Sequence, residues 1–338
     1  NEVVAFGAEK VVYVHDLFRT ERNHFVALER AAEELFGGRQ IPAMEVYSVL
    51  KTHLEVRHGV QVAGFETSDD TKSLREFDEE NGVLRLADAL DYPNRAFQLA
   101  HIIGLFGQRE IIDRIVRDAE LSGDRVVARY RVELANYFAA AVLMPYDAVL
   151  SAARDARYDI DRIAAQFGVS YEQACHRLTT LQRDGAHGIP FFFLRIDKAG
   201  NVTKRFNATR FHLAEYGGAC PRWDIHFSFR TPGRILPQFV EMPDGERYFT
   251  INRTVDRPAS GYRNQDHRLA VTLGCPAEFA VETVYADGFQ LDDPSIYTPI
   301  GINCRLCPRQ RCSQRAHQPL HMDLPIDETR RGITRFES

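Results

Sequence analysis

The chain has 338 residues, 44% of them hydrophobic and 26% charged, with a net charge of −5. These proportions exclude disordered and fibrous classes, and the acidic balance argues against non-specific nucleic-acid binding. The longest apolar runs, 138–144 and 191–194, fall far short of the roughly 20 residues that cross a bilayer, so no membrane span is expected.

Residues 1–10 carry neither an initiator Met nor a basic stretch followed by an apolar one. No secretory signal is expected, the location is expected to be cytoplasmic, and the chain is expected to begin within a longer protein. Apolar residues at helical spacing predict a helix over 23–36, stopped by Gly37, and a second over 43–56, broken at Gly59. Short strands follow at 60–65, 73–77 and 83–87 around an Asn81-Gly82 turn, giving a small sheet. Two long helices are predicted over 95–117 and 125–144, the second halted by Pro145. Residues 161–183 have helix-turn-helix grammar, with Ser170 as N-cap. A DNA-reading role would expose Tyr171, Gln173 and His176, whereas Ala174, Leu178 and Leu181 favour a helix pinned into a larger domain.

After His187 helix gives way to strand. Strand-like segments at 188–197, 202–216, 223–229, 247–255 and 269–272 alternate with turns at 198–201, 232–233, 243–245 and 258–261, the spacing of an antiparallel sheet. A helix is predicted over 277–286, and 292–326 is rich in Pro, Cys and Arg. The expected class is therefore α+β. A mainly helical domain with a small sheet spans 1–186, and an antiparallel α+β domain with a Cys-rich end spans 187–338.

Only five of the 42 basic residues are lysines (Lys10, Lys51, Lys72, Lys198, Lys204), so arginine, the bidentate anion binder, dominates. Of six cysteines, Cys175, Cys220 and Cys275 are scattered, and Cys304, Cys307 and Cys312 form a C-x2-C-x4-C loop. Thiolates so spaced suit zinc or iron and sulfide, and Arg305, Arg309, Arg311 and Arg315 favour the thiolate form. Two fourth ligands compete. His317 would complete a zinc-knuckle-like site. Cys275, in the Leu-Gly-Cys-Pro turn before a helix, would complete four thiolates for a [4Fe-4S] cluster within 275–318, with Cys220 in reserve. The iron–sulfur reading is preferred, and Cys175 is read as a packed small hydrophobe.

The stretch NRAFQLAHIIGLF and the later VELANYFAAAVLMP resemble the helical core of the IrrE/ImmA-type zinc metallopeptidase domain over roughly 11–185. That family carries H-E-x-x-H on the first helix and a carboxylate ligand on the second. Here His101 is followed by Ile102, Ile103, Gly104 and Leu105, so the base and the second histidine are lost and only His101 and Glu133 remain. The resemblance implies a scaffold without catalysis. His53 and His58 offer no substitute, since five-residue spacing turns the second imidazole off the first one's face.

GIPFFFLRIDKAGNVTKRFNA, GGACPRWDIHFSF, MPDGERYFTINRTV, GCPAEFA with VYADG, and GINCRLCPRQRCSQRA together resemble the C-terminal domain of the short-chain fatty acyl transcriptional regulators. The resemblance implies a regulator of propionate/methylcitrate or glyoxylate pathway genes that binds acyl-coenzyme A and an iron–sulfur cluster and forms a dimer or tetramer. Its operator-binding Cro/C1-type helix-turn-helix would lie ahead of this chain. Coenzyme A phosphates call for a basic group, with Lys204, Arg205, Arg210, Arg222 and Arg253 as candidates, and Trp223, Phe211 and Tyr248 as adenine-stacking surfaces. An acyl-coenzyme A enzyme and a zinc-stabilised interaction module are the alternatives. No nucleophile–base–orienter set or G-x-S-x-G motif is legible, so the chain is read as a non-enzyme.

Overall fold

The structure, a computed structural model, describes residues 14, 16–66, 73–209, 211, 219–257, 268–324 and 329. The predicted turn at 258–261 and the candidate Arg210 lie outside the described residues. Two compact units divide the chain, one comprising Asn1–Gly188 with Arg257–His267, the other Ile189–Asp256 with Arg268–Ser338. The class is α+β, as expected.

In the first unit, helices α1 (Val26–Leu35) and α2 (Val46–His58) precede a three-stranded sheet of β1 (Gln61–Phe65), β2 (Arg75–Asp78) and β3 (Val83–Ala87). β3 lies in the middle, parallel to β1 and antiparallel to β2. Helices α3 (Tyr92–Gly107), α4 (Arg109–Asp118), α5 (Asp124–Leu143), α6 (Tyr146–Asp155), α7 (Ile160–Phe167) and α8 (Tyr171–Leu178) follow. The single helix predicted over 95–117 is two helices that break at Gln108. α5 is the core element, with every residue from Tyr137 to Leu143 buried, as its alanine-rich end implied. It meets α3 closely at Gly104, where a β-carbon would stand 2.9 Å from the Phe138 ring.

The 161–183 segment forms α7, a turn through Gly168 in the left-handed region (φ 64°), and α8 capped by Ser170. Ser170 and Gln173 form a reciprocal capping box, which fixes the start of α8. Tyr171 and His176, which a reading helix would expose, are buried, and so is Arg177. The Arg177 guanidinium donates to both carboxylate oxygens of Glu29 on α1 at 2.6 and 2.9 Å, to the Met144 carbonyl at 2.9 Å and to Thr180 Oγ1 at 3.1 Å. α8 is thus an anchor of the helical unit and not a nucleic-acid surface. A short hairpin of β4 (Gln182–Arg183) and β5 (Ala186–His187) closes the unit.

The second unit is built on a six-stranded sheet of β6 (Phe192–Ile196), β7 (Val202–Asn207), β8 (Leu236–Glu241), β9 (Arg247–Asp256), β10 (Arg268–Pro276) and β11 (Tyr297–Pro299). Its order is β11-β8-β9-β10-β6-β7, antiparallel except where β11 runs parallel to β8. β8 is not evident in the sequence because Pro237 interrupts its apolar run. The predicted strand at 223–229 is instead a series of turns: Trp223, His226 and Ser228 each donate to a carbonyl three or four residues earlier, ending in a 3-10 turn at Phe227–Arg230. Likewise the helix predicted over 277–286 is two 3-10 segments, Ala277–Glu282 and Val284–Ala286.

One face of this sheet carries Phe192, Leu194 and Ile196 from β6, Tyr248 from β9 and Ala270 from β10, and packs with Phe211, Cys220, Trp223, Ile225 and Ile300 into one apolar cluster. Strand alternation sends Phe249, Ile251, Leu273 and Cys275 to the opposite face.

Candidate functional site

In the first unit, α3 delivers His101 to the position of the lost peptidase centre, where it is buried. Arg75 from β2 places its Nη1 2.7 Å from His101 Nδ1. The Val132 backbone also hydrogen-bonds the imidazole. Burial, reinforced by the Arg75 charge, lowers the imidazole pKa to about 3, so the ring is neutral. Arginine can only donate, so the Nδ1 lone pair is taken by Arg75. Glu133 is buried too, but Arg129 Nη2 lies 2.7 Å from one oxygen and the Asn136 amide donates to the other at 3.2 Å. Ile102, where the base would stand, is 2% exposed and packs in the core.

His53 and His58 correct the sequence expectation. Both lie within α2, yet their rings approach to 5.5 Å. Burial and the neighbouring His58 and Arg57 lower the His53 pKa. Among the described residues no third ligand joins them.

In the second unit, the C-x2-C-x4-C loop follows β11 directly. Ile300 N–H donates to the Glu241 carbonyl at 2.9 Å, and Arg309 donates to the Ile300 and Glu241 carbonyls at 3.0 and 2.9 Å, fastening the loop to β8. Cys307 is buried against Gly301, where a β-carbon would stand 2.6 Å from its sulfur. The Ala316 backbone N–H donates to Cys304 Sγ at 3.4 Å.

Cys220, the reserve candidate, is the scattered cysteine that the fold brings to this loop. Burial pushes its thiol pKa up, backbone hydrogen bonds from Gly301 and Arg222 oppose that, and the neighbouring Cys304 and Cys307 add to the rise. Cys275 is on the other face of the sheet. It sits opposite Phe249 on β9, fully buried, and desolvation followed by Glu282 drives its thiol far up. The sheet therefore stands between Cys275 and Cys220, and the preferred candidate is the one set away from the loop. His317 is exposed. Among the described residues no three His, Cys, Asp or Glu side chains are gathered closely enough to hold a metal ion, so these thiols are neighbours and not a closed ligand set. The donor chemistry nonetheless fits a thiolate-bound centre: Cys220 receives two backbone N–H groups, the glycine at 301 makes room for a sulfur, and Arg315 is buried beside Cys304 with its Nε unpartnered.

The basic candidates separate by face. Lys204 pairs with Arg195, Arg195 with Val271, and Val271 with Arg253, so Lys204, Arg195 and Arg253 lie in one row across β7, β6, β10 and β9. At about 4.8 Å per strand, Arg195 is about 5 Å from Lys204 and about 10 Å from Arg253 along the sheet. Arg205 pairs with Leu194 and belongs to the opposite face, and the Arg222 carbonyl accepts from Gln238 beside that same face. Sequence reading missed Arg195. The period-2 alternation of FFLRI against VTKRFN held the signal, but only the register reveals the row.

The aromatic candidates are committed to packing. Phe211 stacks on Phe192 at 4.1 Å and 7°, Tyr248 meets Phe211 edge-on at 4.8 Å, and Trp223, 4% exposed, donates its indole N–H to Thr250 at 3.3 Å. These rings present no free face to an adenine.

Residues 180–336 match the model of the short-chain fatty acyl coenzyme A regulator C-terminal family, and residues 56–179 match the IrrE N-terminal-like domain. The chain is 40% identical to a propionyl-CoA carboxylase regulator of Cereibacter sphaeroides over 96% of this chain and 68% of that protein. It is 42% identical to the HTH-type transcriptional regulator PrpR of Mycobacterium tuberculosis over 93% of this chain and 65% of that one, and 36% identical to RamB of the same organism over 96% and 68%. A solved Mycobacterium tuberculosis transcriptional regulator superposes with a TM-score of 0.89 at 38% identity, covering 96% of this chain and 98% of that chain.

Proposed function

This chain belongs to the short-chain fatty acyl coenzyme A regulator family, and from that premise we propose that it is the effector-binding portion of a transcriptional regulator of short-chain acyl-coenzyme A metabolism. It responds to a short-chain acyl-coenzyme A, holds an iron–sulfur centre on Cys220, Cys304, Cys307 and Cys312, and works in the cytoplasm as a dimer or tetramer on operator DNA. It is not an enzyme. The first unit keeps the peptidase-like framework but spends His101 and Glu133 on internal arginines, and no helix among the described residues is long and apolar enough to cross a membrane.

The observation that carries the ligand reading is the row of Lys204, Arg195 and Arg253. Three cations on one face of a rigid sheet suit a ligand with several phosphates. Ligand acts on DNA only if it binds one assembly or arrangement better than another. When bound, an iron–sulfur centre would supply electron-transfer or structural chemistry. This chain's part is to donate thiolates, backbone N–H groups and a buried guanidinium.

Calorimetry with propionyl-coenzyme A and with free propionate tests the proposal. The thioester should bind and the free acid should not, and Lys204→Ala or Arg253→Ala should weaken binding roughly ten- to a hundredfold, the value of one charge-assisted contact of about 1.5–3 kcal/mol. Equal binding of both compounds, or unchanged affinity in both variants, would reject it.

A further inference from the structure

Arg315 is 5% exposed. Its Nη1 donates to the Cys304 carbonyl at 3.2 Å and its Nη2 to the Arg309 carbonyl. Its Nε is fully buried and has no hydrogen-bond partner. The other deeply buried arginine shows what such a group ordinarily requires, for Arg177 meets both oxygens of Glu29 and leaves no nitrogen idle. Arg315 meets neutral carbonyls instead. A buried cation with neutral neighbours and one unsatisfied donor is costly unless an anion joins it. The next residue already donates its backbone N–H to Cys304 Sγ, so a sulfur that becomes negative when it ligates a metal stands close by.

We propose that Arg315 is the counter-cation of the cysteine centre, its Nε–H reserved as a donor to the sulfur atoms of the loaded site. This rests on the iron–sulfur reading above. The two Nη contacts fix the guanidinium plane against the loop, and the charge offsets that of thiolates and cluster. A positive charge at this place favours the reduced, more negative form and raises the midpoint potential, and a donor to sulfur lowers its basicity, so that protons displace the iron less readily. Arg309 differs. Its side chain makes two hydrogen bonds, to the Ile300 and Glu241 carbonyls, so it staples the loop to β8 and serves as the comparison.

The experiment uses the full chain, loaded with ferrous iron and sulfide without oxygen. Iron and sulfide content, midpoint potential and the rate of iron loss to a chelator are read for the unaltered protein, Arg315→Gln, Arg315→Lys and Arg309→Gln. Arg315→Gln should move the midpoint negative and lose iron on the order of ten- to a hundredfold faster, as outer-sphere changes do. Arg315→Lys, which keeps the charge but not the fork, should restore the midpoint more than the retention. Arg309→Gln, which removes an equal charge from the loop but no donor reserved for sulfur, should move the midpoint less than Arg315→Gln does. A protein that takes up no iron and sulfide rejects the iron–sulfur reading and the proposal with it. An unaltered protein that loads, beside an Arg315→Gln variant with the same midpoint and the same iron loss, rejects the role of Arg315 alone. If Arg315→Gln does not fold, Arg315→Lys decides: equality with the unaltered protein in retention as well as midpoint overturns the Nε assignment.

Discussion

Replacing Arg177 with Met tests whether α8 anchors the helical unit. The substitution fills part of the same space but leaves the Glu29 carboxylate, 3% exposed, with the Tyr137 hydroxyl at 2.5 Å as its remaining donor, and it strips the Met144 carbonyl of its partner. Stranding one member of a buried ion pair costs about 3–5 kcal/mol, a large share of the roughly 5–15 kcal/mol that holds a domain together. A Glu29→Leu/Arg177→Met double variant removes both charges and should recover most of that loss. The pH dependence has a definite sign. Burial pushes the Glu29 pKa up, but the Arg177 charge and its hydrogen bonds reverse this, leaving it lowered. The pair's contribution is therefore present above the unfolded carboxylate value of about 4.3 and lost as pH falls through the lower folded value. Without Arg177, burial, the largest influence on Glu29, outweighs the remaining Tyr137 hydrogen bond, so the variant's deficit is full at neutral pH and shrinks as pH falls toward about 4.3. Urea unfolding followed by far-ultraviolet circular dichroism reports the helical unit, whereas Trp223, the single tryptophan, reports the other. A single-variant loss below about 1 kcal/mol, or a double variant costing the sum of the two singles, would refute the anchor.

Cys220→Ser should abolish iron uptake under anaerobic loading, while Cys275→Ser should leave the iron-to-protein ratio intact; the reverse pattern would overturn the placement of the fourth ligand. Gly301→Ala should lower that ratio as well, because the added carbon must displace the Cys307 sulfur. For His101, whose pKa is depressed to about 3, the unfolded chain takes up the proton first, so folding loses up to about 1.4 kcal/mol per pH unit as pH falls from about 6.5 toward 3. Arg75→Ala should raise the His101 value and narrow that window, measured by imidazole NMR titration, and an unchanged value would assign the whole shift to burial. The same variant should still show no peptidase activity, since Ile102 cannot serve as a base.

Much of this was legible in the residues. The helical periodicity of the first unit, the Ser170 cap and the replaced zinc motif could be read directly, because each is a local pattern within a turn or two of helix. Trp223 and Ile225 misled because alternating burial arises from successive turns as well as from strands. Pro237 hid β8 for a complementary reason, since a proline near a sheet edge costs little once a neighbour supplies the rest of the ladder. The fourth cysteine was ambiguous in principle. Cys220 and Cys275 have similar Cys-Pro contexts, and their difference lies in which side of a six-stranded sheet each occupies, a matter of register that no local spacing encodes. The same holds for Arg195, whose alignment with Lys204 and Arg253 exists only across paired strands.

The short strand at Tyr297–Pro299 does more than lead the chain to its cysteines. It lies along β8, with Tyr297 against Phe239 at 5.4 Å and Arg247 over the Tyr297 ring at 4.3 Å. Without it, β8 would offer a bare ladder of N–H and C=O groups flanked by Phe239 and Val240, a template on which another chain can add. The cysteine segment is thereby a guard of colloidal behaviour. A chain cut before Tyr297 should precipitate at concentrations where the intact one stays in solution, and precipitation should set in before the helical unit loses any of its structure.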